Sequence, residues 1–249
     1  MSDTASTSTD RDDPRAHLLH RARNYPYAAP ERSYIYTGEG IRAFDPEARA
    51  GRTPVLAIGS NRAPERLKQK FGHAAHHEIP VQRARLHHFD VVYSAHITSY
   101  GAVPAMLQVS PKTAVEIWVT WLDAEQLEIM HETERGAANY HYAELPGVHL
   151  KMEDGKVERS IFAYVSQRGH LVHRGRPLAL ADVPASNRRY AQATTAEALE
   201  HVRERVAAQD HHPDDWVARL VEDSPYRTTV TERISQDAIA LQHPFRIID

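Results

Sequence analysis

The chain has 249 residues, of which 41% are hydrophobic, a net charge of −3 and no cysteine. That length and apolar content are enough for a substantial core, and the charge balance offers no cue for a nucleic-acid or membrane partner. The missing thiols exclude disulfides, thiolate zinc sites and cysteine nucleophiles and fit a cytoplasmic protein. No apolar run approaches the ~18 residues of a membrane span, and the N-terminus lacks the basic-then-apolar pattern of a secretory signal.

Residues 1–14, MSDTASTSTDRDDP, have no hydrophobic period and predict a disordered tail. Residues 15–51 form an arm broken by Pro26, Pro30 and Pro46. Its Tyr25, Tyr27, Tyr34 and Tyr36 predict packing against the main domain, with no function assigned. The main domain is expected over residues 52–209. It opens with a short strand, Pro54–Ile58, then Gly59-Ser60-Asn61-Arg62, then a helix from Pro64 through Phe71. Exposed amides at such a helix start suit a carboxylate or phosphate; an ordinary turn capped by Asn explains the same residues.

Five histidines fall between His73 and His88, but no carboxylate completes a known spacing, so no metal is expected. Arg85–Ser94 and Pro104–Val109 read as strands. Val115, Ile117, Val119 and Trp121 then alternate with Glu116, Trp118 and Thr120, a third strand. Asp123 is an N-cap with Gln126 completing a capping box, and a helix follows from Ala124 to Glu134.

That helix has two faces: Glu125, Glu128 and Glu132 on one, Leu127, Met130 and Glu134 on the other. If the apolar stripe packs inward, Glu134 points toward the core. Burial and the helix C-terminus would both raise its pKa, which suits general acid–base work. The alternative is a frayed C-terminal Glu in solvent. Beyond it, Val148–Val165 predicts a hairpin turning at Asp154-Gly155, and Pro177–Tyr190 a loop. Thr195–Gln209 predicts a helix with Ala198, Val202 and Val206 on one stripe, and residues 210–249 an extension.

This order of elements resembles the gamma-glutamyl cyclotransferase family. That family opens with a strand and a Tyr-Gly-Ser-Asn-Leu turn, matched by Ile58-Gly59-Ser60-Asn61-Arg62. Ala84-Arg85-Leu86 and the run from Gly101 to Ser110-Pro111 match two later segments. The helix ending Met130-His131-Glu132-Thr133-Glu134 puts Glu134 on the family's catalytic carboxylate, and Pro184-Ala185-Ser186 to Tyr190 is similar to its C-terminal part. The likeness spans about Pro54 to Val206. This chain departs from the pattern with Ile58 for an aromatic, Arg62 for an aliphatic and Arg135 for a glycine. Tyr140 or Tyr142 stands one register off the family's following tyrosine.

The resemblance implies an α+β fold, a mixed sheet or small barrel flanked by helices. It also implies a cofactor-independent enzyme that releases 5-oxoproline from a small gamma-glutamyl amine or amino acid. Glu134 would be the general acid/base, with Ile58, Gly59, Ser60, Asn61, Arg62 and Tyr140 binding substrate. No metal, nucleic acid or membrane is implied, and a monomer or homodimer is expected. Two other readings keep the fold: a non-catalytic module for an acidic metabolite, and an amidohydrolase or acyl-transfer enzyme acting on gamma-glutamyl-like amides.

Overall fold

A computed structural model describes residues 13–72, 78–135 and 139–248. The expected N-terminal tail, and His73, His76 and His77 of the histidine cluster, therefore lie outside the described residues, except that Asp13 caps helix α1 (Pro14–Arg23). The arm continues as a hairpin of β1 (Tyr34–Thr37) and β2 (Gly40–Ala43). Then come β3 (Thr53–Ala57), a single 3-10 turn at Ser60–Arg62, and α2 (Pro64–Phe71). β4 (Ile79–Tyr93) and β5 (Ala105–Leu122) are long, and α3 (Ala124–Arg135) follows. β6 (Tyr140–Met152) and β7 (Val157–Ser166) form the second hairpin. Three helices come after it: α4 (Thr195–Arg205), α5 (Pro213–Glu222) and α6 (Ser224–Ser235).

Five strands close on themselves. β5 pairs antiparallel with β3, β3 parallel with β7, and β7 antiparallel with β6. β6 pairs with β4, and β4 pairs back to β5, both antiparallel. The result is a small mixed barrel with helices around it, an α+β architecture. A barrel of this kind leaves no open edge among its own strands. The β1–β2 hairpin attaches outside, with Tyr34 opposite Val81 of β4. No helix among the described residues is long and apolar enough to cross a membrane.

The segments read as separate strands at 104–109 and 115–121 are one strand, β5. Ser110-Pro111-Lys112 looks like a break but is a bulge. Lys112 and His88 both adopt positive φ, the β4–β5 register shifts between His87 and Phe89, and the Lys112 amide donates to His88 Nδ1.

Two apolar clusters hold the barrel and its helices together. The larger holds Leu86, Val119, Leu145 and Leu150 together with Leu199, Trp216 and Ile234 of the C-terminal helices. The stretch read as an extension thus places α5 and α6 against the same core. The smaller cluster joins Leu67 and Phe71 of α2 to Met130 of α3, with Tyr34 and Tyr36 of the arm. Phe71 is 1% exposed. Truncating a buried Phe to Ala costs about 3–5 kcal/mol, so this cluster helps to fix α2 against α3.

Candidate active site

β3 ends at Ala57, and the chain turns through Gly59 into Ser60–Arg62 before Pro64 starts α2. The first amides of a helical turn have no acceptor within it. Among the described residues the Ser60 and Asn61 amides donate to no protein group. The last turn of α3 brings Glu134 to the same place, because its Leu127 and Met130 stripe packs inward. Glu134 is therefore turned in rather than frayed, with its side chain 17% exposed.

Glu134 and the 58–61 turn line one cavity of about 250 Å³, together with Tyr140. Asn61 Nδ2 donates to Glu134 Oε1 at 3.0 Å, and Lys70 Nζ of α2 donates to the same oxygen at 2.5 Å. Among the described residues Oε2 accepts no bond from the protein. Lys70 is almost completely buried, at 2% side-chain exposure, and Met130 Sδ lies 3.2 Å from its ammonium.

The electrostatics reverse one expectation. Burial does push the Glu134 carboxyl up, but the Lys70 ammonium and the Lys70 and Asn61 hydrogen bonds outweigh it and hold its pKa below the ordinary value. Burial in turn pulls Lys70 down, against the attraction of Glu134. Glu134 is thus a carboxylate held ionised, not one tuned toward neutrality.

The other lining groups are aromatic or neutral apart from Arg66. His96 is buried, bonds Ser94 Oγ through Nδ1 at 3.0 Å, and meets the Tyr140 ring edge-on. Desolvation, helped by Arg168, pulls its pKa down to about 3, so it is neutral at physiological pH. Tyr140 is held protonated by burial. Arg66 makes no salt bridge among the described residues; its guanidinium lies 5.9 Å over the Tyr100 ring.

Of the residues expected to bind substrate, Ile58, Gly59, Ser60, Asn61 and Tyr140 line the cavity and Arg62 does not. Arg62 points to the other side of the turn. Its guanidinium lies 4.9 Å over Trp118, donates to the Asp182 carbonyl at 3.0 Å, and borders a separate cleft. A residue adjacent to Asn61 in a tight helical turn faces about 100–120° away from it, which corrects the expected Arg62 contact. Tyr142, the other candidate for the family's tyrosine, stacks on Phe162 instead.

Tyr25 of the arm was missed as a site residue. It is 4% exposed and lines the cavity, and its hydroxyl oxygen accepts from the Ala105 amide at 2.9 Å. A Cβ on Gly59 would fall 1.9 Å from that oxygen. With φ at −118°, Gly59 is needed there for space rather than for a left-handed backbone. The only signal in the sequence was a tyrosine in a proline-broken arm. Among the described residues no three His, Cys, Asp or Glu side chains gather as metal ligands.

No protein-family model matches this chain, and no curated protein does. Among solved structures it is similar to a gamma-glutamyl cyclotransferase at 16% identity and a TM-score of 0.37, covering 79% of this chain and 94% of that one. It is also similar to an uncharacterized protein from Homo sapiens at 14% identity and a TM-score of 0.36, covering 88% and 95%. Likenesses of this size carry no argument for the reaction; the chemistry of the cavity has to carry it.

Proposed function

We propose that the protein releases 5-oxoproline from a gamma-glutamyl amine or amino acid, without a cofactor, and that Glu134 is its general acid/base. What supports the reading most is one juxtaposition: an ionised carboxylate and two uncommitted amides in a cavity of about 250 Å³. A gamma-glutamyl group carries an ammonium and a carboxylate on one carbon. Glu134 suits the first, and the Ser60 and Asn61 amides suit the second. Held at both points, the chain folds back so that its own amine faces the γ-carbonyl.

Glu134 first takes one proton from the ammonium, which frees the lone pair that bonds to the γ-carbonyl carbon, and then gives that proton to the departing amine. The surplus proton left on the bonded nitrogen, made acidic by sharing its lone pair, passes to solvent as the lactam forms. A depressed pKa keeps the carboxylate ready for an ammonium at neutral pH. Intramolecular attack in a fixed geometry supplies on the order of 7–11 kcal/mol of the barrier.

Incubation with gamma-glutamyl amines and amino acids, followed by mass spectrometry, tests this. Loss of a pyroglutamate unit supports it. Addition of water points to an amidohydrolase instead, and binding with no change of mass to a non-catalytic module; either overturns it.

A further inference from the structure

Resting on that reading, the reaction has a charge still to be met. When the amine attacks, the carbonyl π pair moves onto oxygen. A donor fixed beforehand at that oxygen lowers the barrier, because nothing has to reorganise as the charge appears. The Glu134 carboxylate cannot serve, and the Ser60 and Asn61 amides are assigned to the α-carboxylate.

Tyr25 meets the requirement. Its oxygen accepts the Ala105 amide hydrogen, which fixes the hydroxyl and leaves the phenolic hydrogen for another acceptor. Among the described residues no protein group takes that hydrogen. A buried tyrosine hydroxyl normally finds a partner for it. The oxygen sits against Gly59, next to the Ser60 and Asn61 amides, in the wall of the same cavity as Glu134. Burial, with Tyr100 adding to it, pushes the phenol's pKa well up, so it stays a donor. Tyr140 also lines the cavity but has no comparable anchor on its hydroxyl among the described residues.

We propose that Tyr25, supplied by the N-terminal arm, is a catalytic residue that donates its hydroxyl hydrogen bond to the γ-carbonyl oxygen as this becomes an oxyanion. The nitrogen lone pair forms the new C–N bond while the π pair moves to the oxygen facing Tyr25. On collapse that pair returns to the carbonyl. The bond to the leaving nitrogen breaks with its electrons on nitrogen, and Glu134 protonates it. Tyr25 keeps its own proton throughout.

The experiment compares kcat and KM for 5-oxoproline release in the full chain and in Tyr25→Phe. Loss of one such donor lowers kcat by about 10²–10³-fold, with KM changed only a few-fold. Because Tyr25→Phe also strips the Ala105 amide of its acceptor, a second series keeps the oxygen: fluorinated tyrosines at position 25, whose more acidic hydroxyls are stronger donors. kcat should rise with phenol acidity while the phenol remains protonated. A purely structural role predicts a flat series. Wild-type kcat in Tyr25→Phe, or no trend with fluorination, overturns this inference and leaves the cyclisation intact. No 5-oxoproline from the wild-type chain overturns both.

Discussion

Lys70 and Glu134 form an ion pair at 2.5 Å between α2 and α3, at the wall of the candidate site. The ammonium is behind the carboxylate rather than in the cavity, since Lys70 is not among the lining residues. It therefore sets the charge state of Glu134 without occupying the substrate's place. Lys70→Met removes that control. Burial of Glu134 is then opposed only by Asn61 and Arg66, and its pKa rises. The acid limb of the kcat–pH profile should move to higher pH. Breaking a buried pair from one side costs about 3–5 kcal/mol, which denaturant unfolding will report.

Glu134→Gln removes the charge and keeps the shape. Turnover should fall by about 10²–10⁴-fold. Stability falls too, because Lys70 is left buried without its counter-charge. The double variant Lys70→Met/Glu134→Gln should regain most of that stability and none of the turnover. Unfolding and product release on the four proteins separate the structural role of the pair from the chemical one.

His96 contributes to acid sensitivity. The folded chain holds its pKa at about 3, against an ordinary value of 6.5. Below 6.5 the unfolded chain takes up a proton that the folded one refuses, so this stability is full above that value and is lost as pH falls toward 3. The loss is about 1.4 kcal/mol per pH unit across that window. His96→Gln should flatten the fall. Ser94 Oγ keeps Ser166 and the Gly169 carbonyl as partners, so the comparison of unfolding midpoints from pH 7 to pH 4 reads the titration itself.

Gly59→Ala sets a new Cβ 1.9 Å from Tyr25 Oη. The tyrosine must move, taking its contact with Ala105 and its place in the cavity with it. Overpacking of this kind costs about 1–3 kcal/mol. The same substitution in a Tyr25→Phe background should cost less, since the clashing oxygen is gone. A double-mutant cycle on thermal unfolding checks the coupling.

Helix and hairpin periodicity carried much of this fold in the sequence. Pro64–Phe71 and the turn at Asp154-Gly155 fall where proline and glycine placed them. The phase of Leu127, Met130 and Glu134 turned the acid inward. The closure of five strands was expected only through the family resemblance and not from any local pattern, because pairing partners such as Val55 and Phe162 lie more than a hundred residues apart. Nor was Lys70, which reads as a surface lysine beside Gln69. Its burial depends on α2 meeting α3 over Phe71 and Met130. That omission reversed the sign of the Glu134 shift. Tyr25 was hidden for a similar reason: its place beside Gly59 is set by contacts of the arm, such as its carbonyl with Thr195, that no local pattern encodes.

The most direct measurement is 5-oxoproline formed over time from gamma-glutamyl compounds, quantified for the wild-type chain and for Glu134→Gln side by side. The account predicts steady release by the wild type and loss of at least about 10²-fold in the variant. Equal rates for the two proteins, or no 5-oxoproline from either, would contradict it.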